Sequence, residues 1–94
     1  MEAEPIQQKS GILPWTEENI KNTPEVIGIY VLRSSPTNGD IILVEKSTNL
    51  KTALLDHYRE STLLGIQFFD WYAVGTEDEA ESIRELWSLK YNLH

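Results

Sequence analysis

Residues Ile27–Asn49, with the sequence IGIYVLRSSPTNGDIILVEKSTN, decide the fold that we predict for this chain. An apolar run at 27–32 and a second at 41–44 have the length of strands and are rich in β-branched residues. The segment between them is dense in Ser, Pro, Asn and Gly, and the Asn38-Gly39 pair can adopt positive φ. Two strands joined by such a segment are typical of a β-hairpin.

The remaining elements are predicted from capping residues and from the spacing of apolar side chains. Good helix caps at 47–49 followed by helical spacing predict a helix over 49–61. An aromatic-rich run predicts a third strand over 66–74, and the capping box that begins at Thr76 predicts a helix over 77–91. We therefore predict an α+β fold of order β-β-α-β-α, in which helices flank a three-stranded, mainly antiparallel sheet. Its strands are expected at 26–33, 40–46 and 66–74.

Length and composition favour one small domain. Residues 1–13 are mostly polar and are expected to form a flexible N-terminal arm, so that residues 14–94 make up the domain. The chain has no cysteine, which excludes disulfides, thiolate zinc sites and a cysteine nucleophile. No apolar run approaches the length of a membrane span, and the first residues do not resemble a signal peptide. We expect a cytoplasmic protein with no membrane partner.

The balance of charge argues against nucleic acid as the main partner. Eight basic residues face fifteen acidic ones, for a formal net charge of −7. Proteins that hold a phosphate backbone usually carry a basic patch, whereas the basic residues here are scattered along the chain. Three Trp and four Tyr are many aromatic side chains for so small a core, and aromatic residues are enriched at protein interfaces. We expect weak or absent nucleic-acid binding, and a protein partner or a homodimer.

The first strand carries Gly28-Ile29-Tyr30, which resembles the first half of the signature of the GIY-YIG nucleases. Lys46-Ser47 and Asn49-Leu50 resemble the residues that follow that family's second strand, and Glu79-Ala80 resembles the start of its later helix. The resemblance extends over roughly Thr23–Asn92. It implies a GIY-YIG-like fold, a small antiparallel sheet flanked by helices, and DNA cleavage with a divalent metal ion.

Four positions that are chemically important in that family carry other side chains here. The resemblance places Leu43 at the second tyrosine, Glu45 at a glycine, Ala53 at the phosphate-clamping arginine and Arg84 at the metal-binding glutamate. Leucine and alanine supply neither the hydroxyl nor the permanent charge of the residues they replace. We therefore expect a domain with degenerate catalytic motifs that acts as a non-catalytic protein-interaction module and needs no cofactor.

The alternative is a divergent, metal-dependent DNA endonuclease of the same family. Its catalytic residues would be Tyr30, Lys46 and His57, and Glu85 would bind Mg²⁺ or Mn²⁺. A tyrosine hydroxyl can donate or accept a hydrogen bond, and a histidine can act as a general base near neutral pH. The same residues also have plain structural interpretations, with Tyr30 packed in the core and Glu85 on a solvated helix face beside Glu81.

Overall fold

The hairpin predicted from the apolar runs forms, and it lies in a larger antiparallel sheet. This computed structural model describes residues 6–36, 40–60 and 65–91. Asn38 and Gly39 of the predicted turn lie outside the described residues. Strands are β1 (Ile6–Lys9), β2 (Leu13–Pro14), β3 (Gly28–Arg33), β4 (Ile41–Ser47) and β5 (Phe68–Val74), and helices are α1 (Glu17–Lys21), α2 (Leu50–Glu60) and α3 (Glu77–Lys90). None of these helices is long and apolar enough to cross a membrane.

The sheet is antiparallel throughout, with the order β1-β5-β3-β4 and with β2 also paired to β5. Strand β3 is central, so that Tyr30 lies opposite Glu45 on β4 and opposite Trp71 on β5. The prediction of an α+β fold with an antiparallel sheet flanked by helices is confirmed. The three predicted strands and two predicted helices are all present, each beginning and ending within two residues of the predicted bounds.

The prediction of a three-stranded sheet is wrong in the number of strands, because the described part of the sheet has five. Strand β1 and Leu13 of β2 lie in the segment that we expected to be an arm, and both strands pair with β5. The backbone N–H of Trp71 donates to the Ser10 hydroxyl at 3.0 Å, and the Ser10 N–H donates to the Trp71 carbonyl at 3.1 Å. Without these residues, β5 would be an edge strand with unpaired backbone N–H and C=O groups. Residues 6–14 supply hydrogen-bond partners for those groups, although few side chains of this segment are apolar.

Helices cover both faces of the sheet, because successive side chains of a strand point to opposite sides. We call the side covered by α1 and α2 the α2 face, and the side covered by α3 the α3 face. Each face has its own buried cluster. The α2-face cluster comprises Ile20, Tyr30, Leu32, Leu50, Leu54, Phe69, Trp71 and Ala73, and the α3-face cluster comprises Ile29, Val31, Val44, Val74, Ala80 and Ile83.

Gly28 is required where the central strand passes beneath the start of α2. A Cβ atom at this position would overlap the backbone carbonyl oxygen of Tyr72 and lie 2.8 Å from Cδ1 of Leu50. Glycine inside a strand usually weakens it, and it is retained where another part of the chain must come close. The glycine of the Gly-Ile-Tyr motif therefore has a packing role, which sets how closely α2 approaches the sheet.

Candidate functional site

Two of the predicted site residues meet on the α2 face. The Tyr30 hydroxyl and Nε2 of His57 share a hydrogen bond of 2.8 Å, and the two rings pack edge to face with centroids 5.4 Å apart. Tyr30 reaches this position from the central strand and is 3% exposed, whereas His57 lies on α2 and is half-buried. A phenol hydrogen-bonded to an imidazole can relay a proton, so this pair is the feature of the structure closest to a catalytic arrangement.

The surroundings of Tyr30 hold its hydroxyl in the protonated form. Burial raises the pKa of Tyr30, and the nearby carboxylates of Glu45 and Asp56 raise it further. A phenol with a raised pKa donates a hydrogen bond at neutral pH but does not become a phenolate that could accept a proton. Any catalytic use of this pair would therefore depend on His57 as the proton acceptor.

The other two predicted site residues lie on the α3 side of the sheet. Lys46 follows Glu45 on β4 and so points away from Tyr30, and its Nζ lies 3.2 Å from Oε2 of Glu81 on α3. Glu85 lies one turn beyond Glu81 on the same helix and is exposed. The structure thus brings Tyr30 and His57 together and separates both of them from Lys46 and Glu85.

The four positions that depart from the nuclease pattern have structural partners instead. Leu43 and Ala53 are partly buried and pack against the α2-face cluster. Nε of Arg84 lies 3.7 Å from Oε1 of Glu45, and Nη2 of Arg84 lies 2.8 Å from Oε1 of Glu81. Each of these side chains is therefore already engaged in packing or in an ion pair.

Glu45, Arg84, Glu81 and Lys46 form a continuous set of ion pairs, which we call the edge network, since β4 is the last strand on its side of the sheet. The hydrogen bonds that Arg84 and Lys46 donate to Glu81 lower the pKa of that carboxyl to about 2. Both Glu81 oxygens are occupied by these cations. In the residues that the structure describes, no three Asp, Glu or His side chains are grouped so that they could hold a metal ion.

Two buried charged residues were missed by the sequence interpretation. Nε and Nη2 of Arg33 donate to Oδ1 and Oδ2 of Asp70 at 2.8 and 3.1 Å, and these residues are 3% and 1% exposed. The Tyr72 hydroxyl also donates a hydrogen bond to Asp70. The pKa of Tyr72 is raised, mainly by burial and then by this hydrogen bond. The signal in the sequence is that Asp70 is the one acid within the aromatic run at 66–74.

A cleft opens on the α3 face beside Arg33. It lies between β1 and the last turn of α3 and has a volume of about 520 Å³. Its lining residues are Ile6, Gln7, Gln8, Lys9, Val31, Arg33, Tyr72, Trp87, Lys90 and Tyr91. The cleft is separate from the Tyr30–His57 pair, which is on the opposite side of the sheet.

Comparison with known proteins gives no relative for this arrangement. No family model, curated protein or solved structure matches the chain.

Proposed function

We propose that the chain is a cytoplasmic, catalytically degenerate GIY-YIG-like domain that acts as a non-catalytic protein-interaction module. The observation that supports this most directly is the separation of the residues that a nuclease would need. Tyr30 and His57 lie on the α2 face, while Lys46 is paired with Glu81 on the α3 side. Phosphodiester cleavage requires a proton acceptor, a cation and the metal to converge on one phosphate within a few Å.

The edge network supports the same proposal through its charges. Arg84, at the position where the resemblance implies a metal ligand, binds the carboxylates of Glu45 and Glu81. Lys46, the cation retained from the family pattern, is itself bound to Glu81. To bind a metal or a phosphate here, the domain would first have to break the ion pairs that connect α3 to β4.

The surface that fits an interaction role best is the outer side of α3. Leu86 and Leu89 are 62% and 81% exposed, and among the described residues they are the most exposed large apolar side chains. They are three positions apart on the helix and so form one continuous apolar ridge. Exposed leucines that are adjacent on a rigid helix favour contact with another protein surface.

A second copy of the chain is the partner that this ridge fits. Symmetric homodimers are the commonest soluble oligomers, and a contact between two identical copies uses the same surface on both. Two α3 helices packed antiparallel about a two-fold axis midway between Leu86 and Leu89 would set the ridge of one copy directly against the ridge of the other.

The magnitude of the apolar contact indicates a weak dimer. Burial of a leucine side chain contributes about 1.5–3 kcal/mol, and the symmetric contact would bury four of them. Association costs roughly 4–15 kcal/mol in lost translational and rotational freedom, and the ordering of side chains at the contact adds to this cost. These terms are of similar size, so we expect a dissociation constant on the order of micromolar or weaker.

Sedimentation across a concentration series tests this function. The unchanged protein is expected to pass from monomer to dimer between about micromolar and millimolar concentration. Leu86→Ser/Leu89→Ser should remain monomeric over the same range. Ile12→Ser/Val26→Ser, which removes two exposed apolar side chains elsewhere, should dimerise as the unchanged protein does. A protein that remains monomeric at the highest concentration would refute the homodimer.

The Tyr30–His57 pair is the specific observation that favours the alternative, a divergent metal-dependent DNA endonuclease. Loss of one electrostatic donor to a transition state lowers rates by about 10²–10³, and several positions of the family pattern are altered here. We expect no nicking of supercoiled plasmid above background with Mg²⁺ or Mn²⁺. Metal-dependent nicking that Tyr30→Phe and His57→Ala each abolish would establish the nuclease and contradict the non-catalytic role.

Weak binding to DNA is part of the same proposal. The acidic first turn of α3 and the net charge of −7 repel a phosphate backbone. A titration of duplex DNA near physiological salt should show no binding in the micromolar range. Micromolar or tighter binding that weakens steeply with added salt would contradict the proposal.

A further inference from the structure

The cleft between β1 and α3 differs in charge from the protein as a whole. Its described lining includes three of the eight basic residues, Lys9, Arg33 and Lys90, and none of the fifteen acidic residues. In a chain with a net charge of −7, such a concentration of cations creates a local positive potential. That potential favours an anionic ligand at this position.

The cations of the cleft have distinct roles. Arg33 is buried, and its charge is neutralised by the Asp70 carboxylate, which accepts two hydrogen bonds from it. Arg33 therefore forms a fixed part of the inner surface of the cleft. Neither Lys9 nor Lys90 forms an ion pair with any residue that the structure describes. Their ammonium groups are therefore the two full charges that a ligand would meet.

The end of α3 opposes anion binding, but only partly. A helix C-terminus carries the equivalent of about half a negative charge. The ammonium groups of Lys9 and Lys90 carry two full positive charges beside it. The balance at the mouth of the cleft remains positive.

Aromatic rings form much of the remaining wall. Tyr72 and Trp87 pack edge to face with their ring centroids 4.8 Å apart, and Nζ of Lys90 lies 5.5 Å from the ring centroid of Tyr91. The Tyr72 ring is also held by the hydrogen bond from its hydroxyl to Asp70. Rings fixed in this way offer flat apolar surfaces against which a planar ligand can pack.

We propose that this cleft binds a small organic anion in which a flat unsaturated ring carries a phosphate or a carboxylate group. The ring packs against Trp87 and Tyr72, and the anionic group lies at Lys9 and Lys90. A volume of about 520 Å³ accommodates a molecule of the size of a nucleoside monophosphate. The site does not depend on the outer ridge of α3, so it can be tested independently of dimerisation.

Titrations followed by NMR distinguish the two anionic groups. Adenosine monophosphate is compared with adenosine, and indole-3-acetate with indole, so that each anion has an uncharged counterpart. At least one anion is expected to bind more tightly than its counterpart and to shift the indole N–H resonance of Trp87. The indole resonances of Trp15 and Trp71, which pack on the α2 face, should not move. The anion that binds more tightly identifies the acidic group.

Removal of the two lysine charges tests where the anion binds. Lys9→Met/Lys90→Met should weaken binding of the anion by about tenfold or more and leave the uncharged counterpart unaffected. Lys21→Met/Lys51→Met changes the net charge equally at positions outside the cleft and should retain the original affinity. The proposal is overturned if neither anion binds more tightly than its counterpart, or if both double variants bind alike.

Discussion

Tyr30 and His57 are 27 positions apart in the chain, and a hydrogen bond of 2.8 Å joins the phenol hydroxyl of one to Nε2 of the other. The bond connects the central strand of the sheet to helix α2. It also fixes a polar contact at the margin of a cluster that is otherwise apolar. Because Tyr30 is 3% exposed, loss of the phenol proton would place a negative charge in a largely water-free environment.

Alkaline pH should therefore destabilise the fold through this tyrosine. The pKa of Tyr30 is raised above its ordinary value of 10.0, so the folded state binds more protons than the unfolded state above that pH. The contribution to stability is complete below about pH 10 and is lost as the pH rises further. Between about pH 9 and pH 11, the free energy of unfolding measured with urea should fall less for Tyr30→Phe than for the unchanged protein. Tyr58→Phe, which alters a tyrosine that is 42% exposed, should lose as much as the unchanged protein.

The buried pair of Arg33 and Asp70 should be strongly coupled. Asp70→Asn leaves the Arg33 guanidinium charged and without its carboxylate, and we expect it to lower the free energy of unfolding by about 3–5 kcal/mol. The free energy of unfolding should fall less in Arg33→Met/Asp70→Asn than the sum of its decreases in Arg33→Met and Asp70→Asn, because no buried charge remains in the double variant. Chemical denaturation of the four proteins measures the coupling. Strictly additive losses would show that the two side chains have no coupling energy and would contradict this prediction.

Gly28→Ala should be among the most damaging small substitutions in the chain. The added methyl group would meet the backbone carbonyl of Tyr72, which cannot move without breaking the β3–β5 pairing. We expect a loss of about 3 kcal/mol or more, at the upper end of the range for overpacking. Gly75→Ala is the matched control, because its methyl group would meet only the mobile side-chain ends of Gln7 and Glu79, at 3.1 Å. Equal losses in the two variants would contradict this account of Gly28.

Acid pH should weaken the edge network. The pKa of Glu81 is lowered from 4.5 to about 2, so its contribution to stability is present above pH 4.5 and is lost as the pH falls through 2. The urea midpoint of the unchanged protein should therefore fall further between about pH 5 and pH 2 than that of Glu81→Gln. High salt should reduce this difference, because the side chains of the network are partly exposed. Glu25→Gln, at an exposed acid outside the network, should follow the unchanged protein at every pH.

Much of the fold could be predicted because its signals are local. Alternation and β-branched residues define β3 and β4, and the Thr76 side chain accepts a hydrogen bond from the Glu79 N–H at the start of α3, as the capping box predicts. The first two strands could not be predicted in this way. They form because β5 offers a free edge, and that edge is a property of the assembled sheet.

The candidate site was less predictable, since its contacts depend on register. Tyr30 and His57 could each be singled out from the sequence, but their hydrogen bond depends on how closely α2 packs over Gly28. Arg33 and Asp70 are 37 positions apart and meet only because β3 and β5 pair in one particular alignment. Side-chain alternation specifies the face on which a residue lies and leaves its cross-strand neighbour undefined.

The position of β5 also determines when the chain can fold during synthesis. This strand lies between β1 and β3 in the sheet and pairs with β2 as well, yet it follows all three in the sequence. A nascent chain that has been synthesised only as far as Glu60 contains the residues of β3, β4 and α2. It still lacks β5, the strand that joins β3 to residues 6–14. Such long-range pairing typically slows folding to milliseconds or longer. The apolar side chains of Ile29 and Val31 therefore remain exposed to non-native contacts until Val74 and helix α3, which cover them, have left the ribosome.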